Sequence, residues 1–261
     1  VMNDYIAADL NDDSVNELTV FSIDSGDSVS ASAVLYSYAG GDAKILGRTK
    51  LDGHISYYKN ISAEAKNGRT YVYADAVKSN GTQMLTEIIY WSDKYDTIIS
   101  PYYSYTTGIT KNTTRYSMLS SMDINSDGEI EVPLDSDFDN LPENVYAVEW
   151  NKYDGNVMST VCHSLAVEKD EYQLVIPEDM FANISAEYNA EDSKLTVLDS
   201  GGNMVFTVAC VTSTHYSEKA GDYSGYTEIM NESGYIYLAD CNSQSDMRLS
   251  ASDLKSMIKS Y

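Results

Sequence analysis

Two stretches of this chain share one frame of oxygen-bearing side chains. In "DINSDGEIEVP", residues 123–133, Asp123, Asn125 and Asp127 stand at positions 1, 3 and 5, Gly128 at 6 and Glu131 at 9. In "DLNDDSVNE", residues 9–17, Asp9, Asn11 and Asp13 take the same places, with Glu17 at 9. Alternate spacing around a tight turn lets three side-chain oxygens converge on one point. The position-7 carbonyl, from Glu129 or Val15, adds a fourth donor. Hard oxygen ligands in that number suit Ca²⁺ in a structural role rather than zinc or copper. Glycine at position 6 admits the positive φ such a turn demands. Ser14 fills that place in the first loop at a cost on the order of 1 kcal/mol, so the first loop is expected to bind more weakly or to be degenerate. For either copy alone, an acidic turn closed by its own Asx hydrogen bonds is the competing reading.

An EF-hand requires a bidentate acid at position 12 and a following helix. Position 12 of the second frame is Leu134, after Val132 and Pro133, so the frame reads as a calcium loop between two β-strands. Asp9 and Asp123 lie 114 residues apart, and the strand patterns between them fall into sets of four. The first set is 2–8, 17–23, 31–38 and 43–49; the second is 55–65, 70–76, 84–91 and 96–101. A third begins at 115–122 and continues through 130–133, 145–151 and 156–163. "AGGD" at 39–42, "KNGR" at 66–69 and "KYDGN" at 152–156 are hairpin signals. A four-stranded unit of about 57 residues is the pattern of propeller blades. The expected fold is mainly β: a partial β-propeller of about three four-stranded blades over residues 1–165. The middle blade replaces its loop with the KNGR turn and is expected to be metal-free. Propellers close with four blades or more, so the expectation includes further blades N-terminal to residue 1, or else an open arch capped by the C-terminal domain.

Residues 166–261 change character. "EYQLVIPEDMF" is a strand stopped by Pro177 and a short acidic helical turn. "ISAEYN", "KLTVLD", "NMVFTVACV" and "GYIYLADC" read as strands, with "SGGN" as a hairpin. The tail "SASDLKSMIKSY" pairs Ser250 with Asp253 as a capping pattern and sets Leu254, Met257 and Ile258 on one face. A small α+β domain ending in a helix is expected there.

On these residues the chain resembles a known family. "YIAADLNDDSVNELTVF" and "SSMDINSDGEIEVP" are similar to the FG-GAP repeats of integrin α-chain propellers, and more closely to the FG-GAP-like repeats of surface lipoproteins from Gram-positive gut anaerobes. The resemblance covers about residues 1–165. It implies calcium loops between the first and second strands of a blade, at Asp9–Glu17 and Asp123–Glu131. It also implies export, with a lipid anchor at the bacterial cell surface, although no lipobox is present. Its members supply architecture rather than an activity.

Acids outnumber bases 40 to 17, for a formal charge of −23. That field repels phosphate backbones and anionic membranes and attracts cations, which argues against nucleic acid as a partner. No run approaches the roughly 18 apolar residues of a membrane span. Twenty-three tyrosines against 4 phenylalanines favour pleated surfaces. "SPYYSYTTG" places Tyr102, Tyr103 and Tyr105 where they serve either as packing between blades or as a platform for a protein or glycan. Trp91 and Trp150 read as blade packing. Cys162, Cys210 and Cys241 leave at least one thiol free, with a Cys210–Cys241 bridge open. Neither His54, His163 nor His215 lies in a catalytic motif, and Cys162 and His163, adjacent on a strand, point to opposite faces. The functional expectation is a non-catalytic extracellular binding module. A propeller enzyme acting on polysaccharide through a carboxylate pair is the alternative.

Overall fold

A computed structural model of the chain describes residues 2–24, 30–38, 41–138, 141–243 and 245–261. These form two compact units, Val1–Leu134 with Lys152–Met158, and Asp135–Asn151 with Ser159–Tyr261. Among the described residues the chain is mainly β, in several antiparallel sheets, none of them closed.

In the first unit, β1 (Met2–Ala8), β2 (Glu17–Asp24), β3 (Ser30–Ser37) and β4 (Lys44–Leu51) form one sheet in chain order. A second sheet of the same order is built from β5 (Ile55–Lys66), β6 (Arg69–Lys78), β7 (Met84–Ser92) and β8 (Thr97–Ile99). Both match the strand sets read from the sequence. Burial alternates residue by residue along β2 and β3, as a half-buried strand requires. Phe21, Leu35, Tyr58, Val72, Leu85 and Ile89 join the two sheets in one core, with the Phe21 and Tyr58 rings edge-on at 5.1 Å. Asn67 and Gly68, at φ 53° and 72°, make the KNGR turn a two-residue hairpin of the type that needs positive φ twice. Of the AGGD signal, Ala39 and Gly40 lie outside the described residues.

The third set departs from expectation. Past the two-residue strands β9 (Tyr103–Ser104) and β10 (Ile109–Thr110), the stretch 115–122 is not a strand; Arg115 and Met122 make isolated bridges to Met84 and Glu131. Its polar groups are taken by side chains instead. The fully buried Arg115 guanidinium donates to the carbonyls of Thr113 and Leu119 and pairs with Asp75 Oδ1 at 3.0 Å, while Asp75 Oδ2 accepts the Ser121 N–H at 2.8 Å. Backbone groups satisfied in this way have no need of a ladder. β11 (Glu131–Asp135) follows after the acidic loop at 123–130.

β12 (Val145–Tyr153) and β13 (Met158–Val167), whose residues up to Asn151 and from Ser159 belong to the second unit, are joined by β14 (Tyr172–Ile176) and then β20 (Ile258–Ser260), rather than ending a four-stranded blade. The division expected after residue 165 therefore falls inside β13, whose residues His163 to Val167 pair with β14. A further sheet runs β15 (Ile184–Asn189), β16 (Lys194–Asp199), β17 (Met204–Thr212), β19 (Tyr235–Asp240) and β18 (Thr227–Glu232). Among the described residues three short α-helices complete this unit: α1 (Glu178–Phe181), α2 (Ser213–Lys219) and α3 (Ala251–Met257). α2 and β18 carry no clear period in the sequence and stand outside its expectations. α3 begins at the expected capping box, in which Ser250 Oγ accepts the Asp253 N–H and the Asp253 carboxylate accepts the Ser250 N–H. Leu254 and Met257 are buried, but the unit does not end in a helix. Ile258 turns to an extended ψ of 135° and starts β20, because the free edge of β14 offers it a ladder, with Leu174 opposite Ile258.

Candidate functional site

The two acidic loops have the same backbone and the same internal bonds. In the first, Asp9 accepts the N–H of Asp13 at 3.2 Å and of Ser14 at 2.8 Å. In the second, Asp123 accepts those of Asp127 at 3.0 Å and Gly128 at 2.9 Å. The position-3 asparagines, Asn11 and Asn125, accept from the position-5 N–H and donate to the position-5 carboxylate. Asp13 and Asp127 take the N–H of Val15 and Glu129, at 2.8 and 2.9 Å. Positions 4 and 6 are left-handed in both: Asp12 and Ser14 at φ 60° and 68°, Ser126 and Gly128 at 64° and 86°. Ser14 thus adopts the conformation that glycine takes in the twin, and the path of the loop is unchanged.

Each loop is anchored by two residues at its base. The position-9 acids, Glu17 and Glu131, are 1% and 0% exposed and sit opposite Ala8 and Met122. Their Oε2 atoms accept the N–H of Leu10 and Ile124, at 3.0 and 3.1 Å. Leu10 and Ile124 are themselves buried, an apolar plug at position 2 that the D-x-N-x-D frame passes over although both copies carry it. The remaining oxygens, Glu17 Oε1 and Glu131 Oε1, are buried without a hydrogen-bond partner. Burial raises both carboxyls above the ordinary range, partly offset by the Leu10 and Ile124 N–H groups and reinforced by the neighbouring aspartates; Glu131 is pushed up to about 7. An orphaned buried carboxylate oxygen beside two aspartates is costly unless a proton or a cation neutralises it. The donor set, all oxygen and mostly carboxylate, fits a hard divalent ion. Asp9, Asp13 and Glu17 bring one oxygen each within 4.8 Å of one another, the one acidic group of three so gathered among the described residues.

What surrounds the loops differs. Lys152 Nζ lies 3.0 Å from Asp127 Oδ2 and also pairs with Glu129, whose Oε2 is 2.5 Å from Lys66 Nζ. The Glu129 N–H and Lys152 hold the Asp127 carboxyl below its ordinary value, and Lys152 and Lys66 do the same for Glu129. Glu64 Oε2 accepts the Ile130 N–H at 2.8 Å. Among the described residues the first loop has no ion pair; Arg69, which lines a cavity beside Asn11 and Asp12, sets its guanidinium over the Tyr90 ring. Position 7 is Val15 in one loop and Glu129 in the other, and the second acid is what recruits the lysines.

The other candidates lie elsewhere in the fold. Tyr102 packs on Tyr153 at 5.7 Å within a tyrosine core that includes Tyr71 and Tyr90. Tyr103 and Tyr105 stand edge-on at 5.0 Å, and Tyr105 is 71% exposed. Trp91 packs on the core of the first unit, while Trp150, buried in the second unit, donates to Ser164 Oγ. Cys162, Cys210 and Cys241 are free thiols, so no Cys210–Cys241 bridge exists. His163 stacks on Phe181 and meets Glu178 at 2.7 Å, and His215 lies in α2. His54 Nδ1 is 3.0 Å from the buried Asp52, which Lys78 also contacts at 3.2 Å. Asp52 and Glu87 are two buried carboxylates linked by the Asp52 N–H, which Glu87 Oε1 accepts at 2.8 Å. Their oxygens are occupied by the N–H groups of His54, Thr110 and Asp52 and by the hydroxyls of Ser100 and Thr110. Among the described residues no helix is long and apolar enough to cross a membrane.

No protein-family model, curated protein or solved structure matches this chain.

Proposed function

We propose that this chain is a calcium-stabilised, non-catalytic binding module exposed at a bacterial cell surface, its first unit built of FG-GAP-like propeller blades. Calcium in both loops is a structural ion: it satisfies the buried Oε1 of Glu17 and Glu131 and neutralises clustered aspartates. The observation that carries the reading is the twin set of loop bonds around those two orphaned oxygens. The ligand is a protein or glycan, for which the exposed Tyr105 ring, braced by Tyr103, offers flat amphipathic area. Membership of the lipoprotein family and the lipid anchor rest on the sequence resemblance. A glycan array probed with the calcium-loaded chain tests the binding role, with Tyr105→Ala and chelated protein in parallel. Specific retention that Tyr105→Ala abolishes supports it.

A second reading is favoured by one observation, the Asp52–His54 pair. A buried carboxylate orients an exposed imidazole beside a cavity of about 350 Å³ lined also by Lys78, Ser79 and Asn80. That is the geometry of a general base. Sugar released from polysaccharide by wild type but not by His54→Ala would replace the binding reading with a hydrolytic one.

A further inference from the structure

We propose that Lys152 is an internal counter-cation that competes with the metal for the second loop, so that the first loop fills first although it carries Ser14 in place of glycine. The inference rests on the calcium reading of both loops.

The loops serve as each other's control, since they share donors, bonds and backbone angles. Asp127 is the position-5 ligand. Its Oδ1 accepts the Glu129 N–H, and its Oδ2 takes both the Asn125 amide at 3.2 Å and the Lys152 ammonium at 3.0 Å. Asp13, its counterpart, has the same two neutral donors and, among the described residues, no ammonium. A calcium ion entering the second loop must displace Lys152 from a ligand oxygen or sit beside its charge. Lys152 and Lys66 are 24% and 12% exposed at the side chain, so solvent screens them less than a free surface lysine. The lysine does not complete the site either. Glu131 Oε1 stays without a partner, so a place for the ion remains. In the first loop the three carboxylates close to within 4.8 Å of one another with no cation present among the described residues. Positive φ at Ser14 is a modest cost, whereas an ammonium on a ligand carboxylate acts directly against a divalent charge.

The test is calorimetric calcium titration of the full chain and of Asp9→Asn, which silences the first loop, each with native Lys152, Lys152→Met or Lys152→Arg. Melting in chelator checks that every variant folds. Wild type should bind in two steps, the tighter of which disappears in Asp9→Asn. Lys152→Met should tighten the remaining step about tenfold, while Lys152→Arg leaves it within about twofold. The first-loop step should stay unchanged in all three. Second-loop affinity that is unaltered or weakened in Lys152→Met overturns the inference, as does loss of the weaker step in Asp9→Asn. Calcium binding that ignores Lys152 overturns this inference alone. Absence of binding at either loop, in wild type and Lys152→Met alike, overturns the calcium reading with it.

Discussion

Loop 9–17 and loop 123–131 trace one backbone path with the same hydrogen bonds, yet among the described residues the first alone gathers three carboxylates within 4.8 Å, while the second holds two lysines. The shape of such a loop is set by acceptors at positions 1, 3 and 5, an apolar plug at position 2 and a buried acid at position 9. Its electrostatic character is set by whatever the rest of the fold brings to positions 5 and 7. Two loops can therefore follow one backbone path and still differ in the charges around them.

The sharpest way to break the geometric equality is to remove the plugs. Leu10→Ala and Ile124→Ala should each cost about 3 kcal/mol in urea unfolding, since both are fully buried large-to-small changes. If one costs less than half the other, the loops are not equivalent at their bases.

Metal removal comes next. Calcium bound to the folded state alone stabilises by about 2.7 kcal/mol per loop at a hundredfold excess over Kd. A chelator should lower the melting temperature by several degrees. Asp9→Ala and Asp123→Ala should each remove part of that response. A melting curve indifferent to chelator would leave the orphaned glutamate oxygens without an explanation.

A smaller effect, about 1 kcal/mol, is expected at position 6. Ser14→Gly should stabilise the calcium-free protein and Gly128→Ser should destabilise it by a like amount, because both sites need positive φ. Unequal magnitudes would show that something other than backbone strain separates the loops.

The smallest effect contrasts the position-9 glutamates with a buried acid that is fully satisfied. Burial pushes Asp52 upward, but the His54 N–H and Lys78 outweigh it and hold the carboxyl below the ordinary 3.8. A lowered carboxyl contributes stability above its unfolded value and loses it as pH falls through the folded one. Asp52→Asn should therefore lower stability at neutral pH and flatten the loss of stability below about pH 4. An unchanged acid limb would show that its burial and its bonds cancel.

What could be read without a structure was set by the range of the interactions. Each acidic loop is closed by bonds between residues no more than 7 apart, and the hairpin at Asn67–Gly68 and the capping box at Ser250–Asp253 are shorter still, so sequence spacing alone defines them. The eight strands of the first two sheets were equally legible, because alternation in β2 and β3 and short apolar, β-branched and aromatic runs in β6 and β7 need no partner to be seen. The pattern of 115–122 reads as a strand because it cannot show that Arg115 meets Asp75, 40 residues away, and takes over its carbonyls. The tail reads as helix throughout because nothing local reveals the open edge of β14 that draws Ile258 into a ladder. Lys152 and Lys66 reach the second loop from 25 and 63 residues away. The amino-acid sequence by itself determined that two oxygen-lined loops would form. Only the tertiary structure decided which of them faces a competing charge, since Coulomb forces act on neighbours in space and not on neighbours in the chain.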